Sequence, residues 1–218
     1  MPVNQKAFAD LKAELGAAQV ALVAVSKTKP VEEIRELFEL DQHDFGENYV
    51  QELVSKQPLL PQEINWHFIG HLQSNKVKHI APFVHLIHGV DSAKLLKEID
   101  KQAQKMDRTI CCLLQVHIAS EESKFGFDEA ELSLLMKEIQ NKQTVLSHAK
   151  ICGLMGMASF TEDETIVRKE FSLLKSIYDR YASEEFNILS MGMSSDYKIA
   201  ISEGSNMVRI GSLLFGVR

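Results

Sequence analysis

Short apolar runs alternate with amphipathic stretches along almost the whole chain, and the two spacings predict a regular series of strands and helices. Segments over 20–26, 44–47, 66–69, 84–88, 110–118, 150–157, 187–191 and 208–213 read as eight strands, preceded by an opening helix over about 3–15. Between them, helical periodicity groups Val31, Ile34, Leu37 and Phe38, then Leu95, Leu96, Ile99 and Ala103. It recurs in Leu132, Leu135, Met136 and Ile139, and in Val167, Phe171, Leu174, Ile177, Tyr178 and Tyr181. Pro30 falls in the first turn of its helix, where a missing N–H is tolerated.

The fifth run, Ile110-Cys111-Cys112-Leu113-Leu114-Gln115-Val116-His117-Ile118, is apolar at successive positions for most of its length. A strand covered on both faces reads this way, and such strands belong to parallel sheets. Strand and helix in strict alternation predict an α/β protein with a single (β/α)8 TIM-type barrel and an extra N-terminal helix. A doubly wound open sheet is the alternative. No linker composition interrupts the pattern, and the chain ends close to the eighth strand, so residues 1–218 are expected to form one domain.

The bulk numbers narrow the function classes. Of 218 residues, 45% are hydrophobic, enough for a full core, and 24 Lys and Arg against 30 Asp and Glu give a formal net charge of -6. That balance argues against a nucleic-acid surface, which calls for a basic stripe. No run reaches the roughly 18 apolar residues of a membrane span, and Met1-Pro2-Val3-Asn4-Gln5-Lys6 lacks a secretory signal. Cys111, Cys112 and Cys152 are odd in number, and adjacent residues on a strand point to opposite faces. Core thiols in a reducing cytoplasm are expected.

Candidate chemistry concentrates at strand ends. Lys27 closes the run Ala21-Leu22-Val23-Ala24-Val25 and opens the turn Ser26-Lys27-Thr28-Lys29-Pro30. At the carboxyl end of a barrel strand its amine is placed to form a Schiff base with an aldehyde such as pyridoxal phosphate; a plain rim lysine is the other reading. Lys29, next to Pro30, is expected to face solvent. Loops after the last two barrel strands commonly bind phosphate. Here they read Met191-Gly192-Met193-Ser194-Ser195-Asp196 and Val208-Arg209-Ile210-Gly211-Ser212. Ser194 or Ser195 can begin a helix with outward N–H groups, while Gly211 permits close approach and Ser212 adds a hydroxyl. Each loop alone also fits a helix cap with a packing glycine.

Arg209, inside the eighth strand, needs a partner if buried. A pyridine nitrogen and a strand carboxylate both qualify. Asn48 either bonds a ligand at its strand end or caps the next helix. His67 and His71 lie on strand and turn, where a four-residue spacing does not aim both at one ion, so no metal is expected. The loop Ser120-Glu121-Glu122-Ser123-Lys124-Phe125-Gly126 either reaches over the site or is a solvated connection. Nucleophile-elbow, Walker and dinucleotide glycine motifs are absent.

Taken together, five blocks resemble the pyridoxal phosphate homeostasis protein family. They are Ala24-Val25-Ser26-Lys27-Thr28-Lys29-Pro30, Phe45-Gly46-Glu47-Asn48-Tyr49-Val50-Gln51-Glu52, Trp66-His67-Phe68-Ile69-Gly70-His71-Leu72-Gln73-Ser74-Asn75-Lys76, Gly192-Met193-Ser194 and Met207-Val208-Arg209-Ile210-Gly211. The resemblance implies a barrel of the alanine racemase N-terminal-domain type standing alone, with pyridoxal 5'-phosphate as cofactor. It implies Lys27 as the Schiff-base lysine, Ser194, Gly211 and Ser212 around the phosphate, Arg209 facing the pyridine nitrogen, Asn48 lining the pocket, and Met193 among the cofactor-binding residues. His71 stands where some members have proline, Phe125 where some have a small or polar residue, and Ser212 where many have threonine.

A racemase needs acid/base groups on both faces of the bound substrate. Alanine racemase has a second domain and a tyrosine contributed across a dimer, and no such second domain is expected after this barrel. An arginine beside the ring nitrogen gives up a proton poorly. The expectation is therefore not an enzyme but a cytoplasmic carrier that buffers pyridoxal phosphate and delivers it to dependent apoenzymes, and the resemblance implies a monomer. Weak racemase activity is the alternative, and a ligand-gated regulator of a partner is a third reading.

Overall fold

The computed structural model describes residues 3–120 and 125–216. Eight parallel strands close into a barrel in chain order: β1 Ala21–Val25, β2 Asp44–Glu47, β3 Asn65–Phe68, β4 Leu86–Val90, β5 Ile110–Gln115, β6 Ala149–Met155, β7 Ile188–Met193 and β8 Met207–Ile210. Closure comes from β1 pairing with β8, where Val23 lies opposite Arg209 and Ala24 opposite Ile210.

Strand alternation divides the buried residues into two sets. Val23, Leu86, Leu113, Cys152, Met155 and Met207 form a small apolar cluster in the lumen. Their neighbours Leu22, Ala24, Phe45, Phe68, Ile87, Leu114, Leu154 and Val208 belong to the larger core that the helices cover. Those helices are α1 Gln5–Ala17, α2 Val31–Glu39, α3 Val50–Lys56, α4 Val77–Ile80, α5 Ala93–Lys105, α6 Glu129–Gln140, α7 Glu164–Asp179, α8 Tyr197–Ser202 and α9 Ser212–Phe215. Local sequence starts the long ones. Asp128 and Glu131 close a capping box on α6, and the Ser92 hydroxyl accepts the Leu95 N–H at the start of α5. All three cysteines are free thiols.

Several boundaries differ from the sequence reading. The eighth strand stops at Ile210, because Gly211 turns the chain into α9 and Leu214 and Phe215 are buried there. The fifth stops at Gln115, leaving one isolated bridge between Val116 and Phe127. The fourth begins at Leu86 rather than 84. Pro30 is the residue before α2, not within it. Among the described residues no helix is long and apolar enough to cross a membrane.

Candidate functional site

Lys27 is half-buried, two residues beyond the end of β1. The turn that carries it is held from outside the barrel. Lys56 on α3 donates to the Ser26 carbonyl at 2.8 Å, to Glu47 Oε1 at 2.8 Å and to Glu52 Oε1 at 2.6 Å. The Ser26 hydroxyl donates to Glu47 Oε1 at 2.7 Å, and the Thr28 N–H to Glu52 Oε1 at 2.5 Å. Both neighbours of Lys27 are thus tied to one network of charges. Thr28 has φ +65°, a conformation β-branched residues avoid, which costs about 1–3 kcal/mol and needs such bracing. Burial raises the Glu47 carboxyl above its ordinary range despite the Lys56 charge beside it.

Arg209 is buried inside the barrel. It donates to the Ser190 carbonyl at 2.9 Å, the Ser190 hydroxyl at 2.6 Å and the Gly156 carbonyl at 3.1 Å. Burial brings its guanidinium down to about 10, with the Asp196 charge acting in the opposite direction. It therefore stays protonated at neutral pH.

The last two strand loops meet. The Gly211 N–H donates to Ser194 Oγ at 3.3 Å, and Met193 lies opposite Arg209 in the β7–β8 register. Gly192, at φ +96°, turns the chain against α8, where a Cβ would come within 2.6 Å of the Ala200 Cβ. Gly211 abuts β1, since a Cβ on it would lie 3.3 Å from the Val25 carbonyl oxygen. These loops thereby reach the strand that leads to Lys27. Neither Ser194 nor Ser195 begins a helix: both sit in a turn, and α8 starts at Tyr197. That turn closes when Asp196 Oδ1 accepts the Met193 N–H at 2.6 Å. Ser212 is exposed as the first residue of α9.

Asn48 does not cap α3, whose preceding residue is Tyr49. Its Oδ1 is buried with no donor among the described residues. Gly70 lies against it, and a Cβ there would fall 2.3 Å from the Asn48 carbonyl oxygen. Lys29 departs from the solvent-facing expectation: it is half-buried, donates to the Phe215 carbonyl at 2.7 Å and lies 5.9 Å from that ring's centre.

The histidines separate. His71 pairs with Asp91 at 3.0 Å and stacks on Phe125, ring centres 4.2 Å apart. His67 turns inward: its Nδ1 lies 2.9 Å from His88 Nε2 and its Nε2 lies 2.9 Å from Asp44 Oδ1. His88 Nδ1 continues to Ser190 Oγ at 3.2 Å. Asp44, His67 and His85 bring ligand-type atoms within 4.8 Å of one another, but the Asp44 bond already uses the His67 nitrogen an ion would need. Of the loop after β5, residues 121–124 lie outside the described residues.

Sequence patterns did not single out Lys56, Glu52, His88 or Ser190. The available signals were faint: a glutamate closing a buried strand, a histidine inside an apolar one, and a Glu52–Lys56 spacing that reads as an ordinary surface pair.

The closed parallel barrel, with a lysine past its first strand and a buried arginine in its last, defines a protein of the alanine racemase N-terminal-domain class. The family model of that description matches residues 5–218. The pyridoxal phosphate homeostasis protein of Pasteurella multocida (strain Pm70) is 38% identical over 206 residues, covering 91% of this chain and 87% of the relative. PipY of Synechococcus elongatus PCC7942, solved without PLP, superposes with a TM-score of 0.88 at 34% identity, covering 97% of this chain and 99% of that one. The same protein with PLP bound gives 0.84 at 33% identity, again covering 97% and 99%. The chain belongs to the pyridoxal phosphate homeostasis protein family.

Proposed function

We propose that this chain binds pyridoxal 5'-phosphate at Lys27 and acts in vitamin B6 homeostasis, holding the reactive cofactor and releasing it to dependent apoenzymes. The observation that carries this reading is the braced Lys27 turn, set against loops in which Ser194 and Gly211 meet beside buried Arg209. The residues present suit the group. Lys27 supplies an amine for its aldehyde, while Ser194, Gly211 and Ser212 supply a hydroxyl, backbone donors and room for its phosphate. Arg209 supplies a donor for its ring nitrogen, Met193 the backbone beside it, and Asn48 Oδ1 an acceptor with no donor among the described residues. A PLP-bound relative at 33% identity supports the same assignment.

When bound, the cofactor contributes an aldehyde carbon and an electron-withdrawing ring. The protein's part is to orient and shield it. Arg209, cationic at neutral pH, accepts no proton and surrenders one poorly, so the ring nitrogen stays unprotonated and the ring draws electrons weakly. Holding the cofactor is thereby favoured over using it, in a monomeric cytoplasmic protein.

Borohydride treatment of purified protein supplied with pyridoxal phosphate, followed by peptide mass mapping, tests this. The expected product is one pyridoxyl group on Lys27, lost in Lys27→Ala. A fully labelled Lys27→Ala protein would remove the assignment. Racemase activity is tested separately by deuterium wash-in at the α-carbon across an amino-acid panel, where exchange at roughly 1 per second or faster would favour an enzyme.

A further inference from the structure

The lumen holds a continuous row of hydrogen-bonding groups that cofactor binding does not by itself require. It runs from Asp44, at the end of the barrel where the strands begin, through His67, His88 and Ser190 to Arg209. Hydrogen-bonding capacity constrains its direction. Arginine only donates, an ionised carboxylate only accepts, and a neutral imidazole does one of each. Ser190 Oγ accepts from Arg209, so its own proton is free for His88 Nδ1. His88 Nε2–H then donates to His67 Nδ1, and His67 Nε2–H to Asp44. This order satisfies every member of the row with Arg209 as its one cation.

The reverse order makes His88 donate to Ser190, so that His67 Nδ1 must donate to His88. His67 Nε2 still faces a carboxylate, and His67 would become a second buried cation. Two positive charges in one lumen are disfavoured by desolvation and by mutual repulsion. Burial above all holds His88 well below its ordinary range, and the nearby Arg209 charge acts in the same direction, which is the behaviour of a neutral ring.

We propose that Ser190, His88 and His67 are positioning residues for Arg209, forming with Asp44 a one-way relay in which both imidazoles carry their proton on Nε2. The relay fixes the Ser190 hydroxyl as an acceptor for one guanidinium nitrogen, and so fixes how Arg209 is presented to the pocket. Asp44, at the far end and half-exposed, sets the direction. The link to cofactor binding rests on the placement of Arg209 beside the cofactor ring; the relay's direction does not.

Nitrogen-15 NMR of histidine-labelled full-length protein reads the tautomers directly, because protonated and bare ring nitrogens resonate far apart. His67 and His88 are expected to show a protonated Nε2 and a bare Nδ1. In Asp44→Asn the amide can donate as well as accept, so the Nε2–H fraction should fall at His88, although that ring has no hydrogen bond to residue 44. A doubly protonated His67, an Nδ1–H His88, or a His88 pattern unmoved by Asp44→Asn overturns the relay. Ser190→Ala, which leaves the Ser190 carbonyl bond in place, should weaken pyridoxal phosphate affinity roughly tenfold. Unchanged affinity would remove Ser190 from the positioning role. Should wild-type protein fail to be labelled by pyridoxal phosphate and borohydride, the cofactor reading falls, while the NMR result still decides the relay.

Discussion

The Lys56 ammonium lies 2.8 Å from Glu47 Oε1 in a nearly solvent-free pocket outside the barrel wall, and the same nitrogen holds the Ser26 carbonyl immediately before Lys27. A buried ion pair is poor evidence of net stability, since desolvation offsets much of the attraction. Breaking one is different, because the remaining charge has lost its partner. Lys56→Ala should therefore destabilise the protein by about 3–5 kcal/mol at neutral pH, read from urea unfolding. The variant should also label more slowly at Lys27 under borohydride trapping, as the turn loses one of its anchors. A variant of wild-type stability would show that the pair does not brace the turn.

Glu47 carries a pH signature of definite sign. Burial, the largest influence, raises its folded-state value above the usual glutamate value of 4.5, against the pull of Lys56 and Ser26. The folded protein thus binds this proton more tightly than the unfolded chain does. The resulting stability is fully present below the ordinary value and is lost as pH rises through the raised one. Urea midpoints measured between pH 4 and 8 should include this decline in the wild type. In Glu47→Gln, which has no proton to lose, the decline should disappear. An identical slope in both proteins would place the titration elsewhere.

The barrel was legible because most strands are apolar runs and each long helix repeats its apolar face, so period and order were enough to specify (β/α)8, although β2, Asp44–Glu47, is polar at both ends. Short elements escaped. Over seven residues, Val50–Lys56 makes two turns, too few to establish a face, and the first two residues of α9, Ser212 and Leu213, were taken into the eighth strand because Leu213 prolongs its apolar run. Candidate site residues near strand ends, Lys27 and Arg209 above all, were visible because residue type and topological position together limit their chemistry. The residues that support them were not. His88 and Ser190 gain their meaning from neighbours 21 and 102 positions away in the chain, and no local pattern encodes those distances.

Lys29 illustrates the same limit and gives a further expectation. Its side chain reaches the Phe215 carbonyl and ring, joining the turn after β1 to α9. Lys29→Ala should lower stability by about 1.5–3 kcal/mol, the value of one hydrogen bond to a charged group. Labelling should remain at Lys27, so peptide maps of the two single variants separate the structural lysine from the reactive one. Loss of labelling in Lys29→Ala with the fold intact would reverse their roles.

His71 and Phe125 stand in loops at the carboxyl end of the barrel, after β3 and β5, with ring planes 20° apart and centres 4.2 Å apart. The Gln115 amide donates to the Phe125 carbonyl at 2.7 Å, fixing the backbone below the stack. Phe125 is otherwise exposed, and the ring of His71 is the aromatic surface it rests on. The stack therefore ties the turn after β3, which also carries Gly70 against Asn48, to the loop after β5. A double-mutant cycle with His71→Ala and Phe125→Ala should give a coupling of about 0.5–1.5 kcal/mol, the usual range for an aromatic pair. Either single variant should also shorten the residence time of pyridoxal phosphate, because the turn that holds Gly70 against Asn48 would then lose its tie to Phe125. Additive stability effects with unchanged release would mean that the rings touch without holding the loops together.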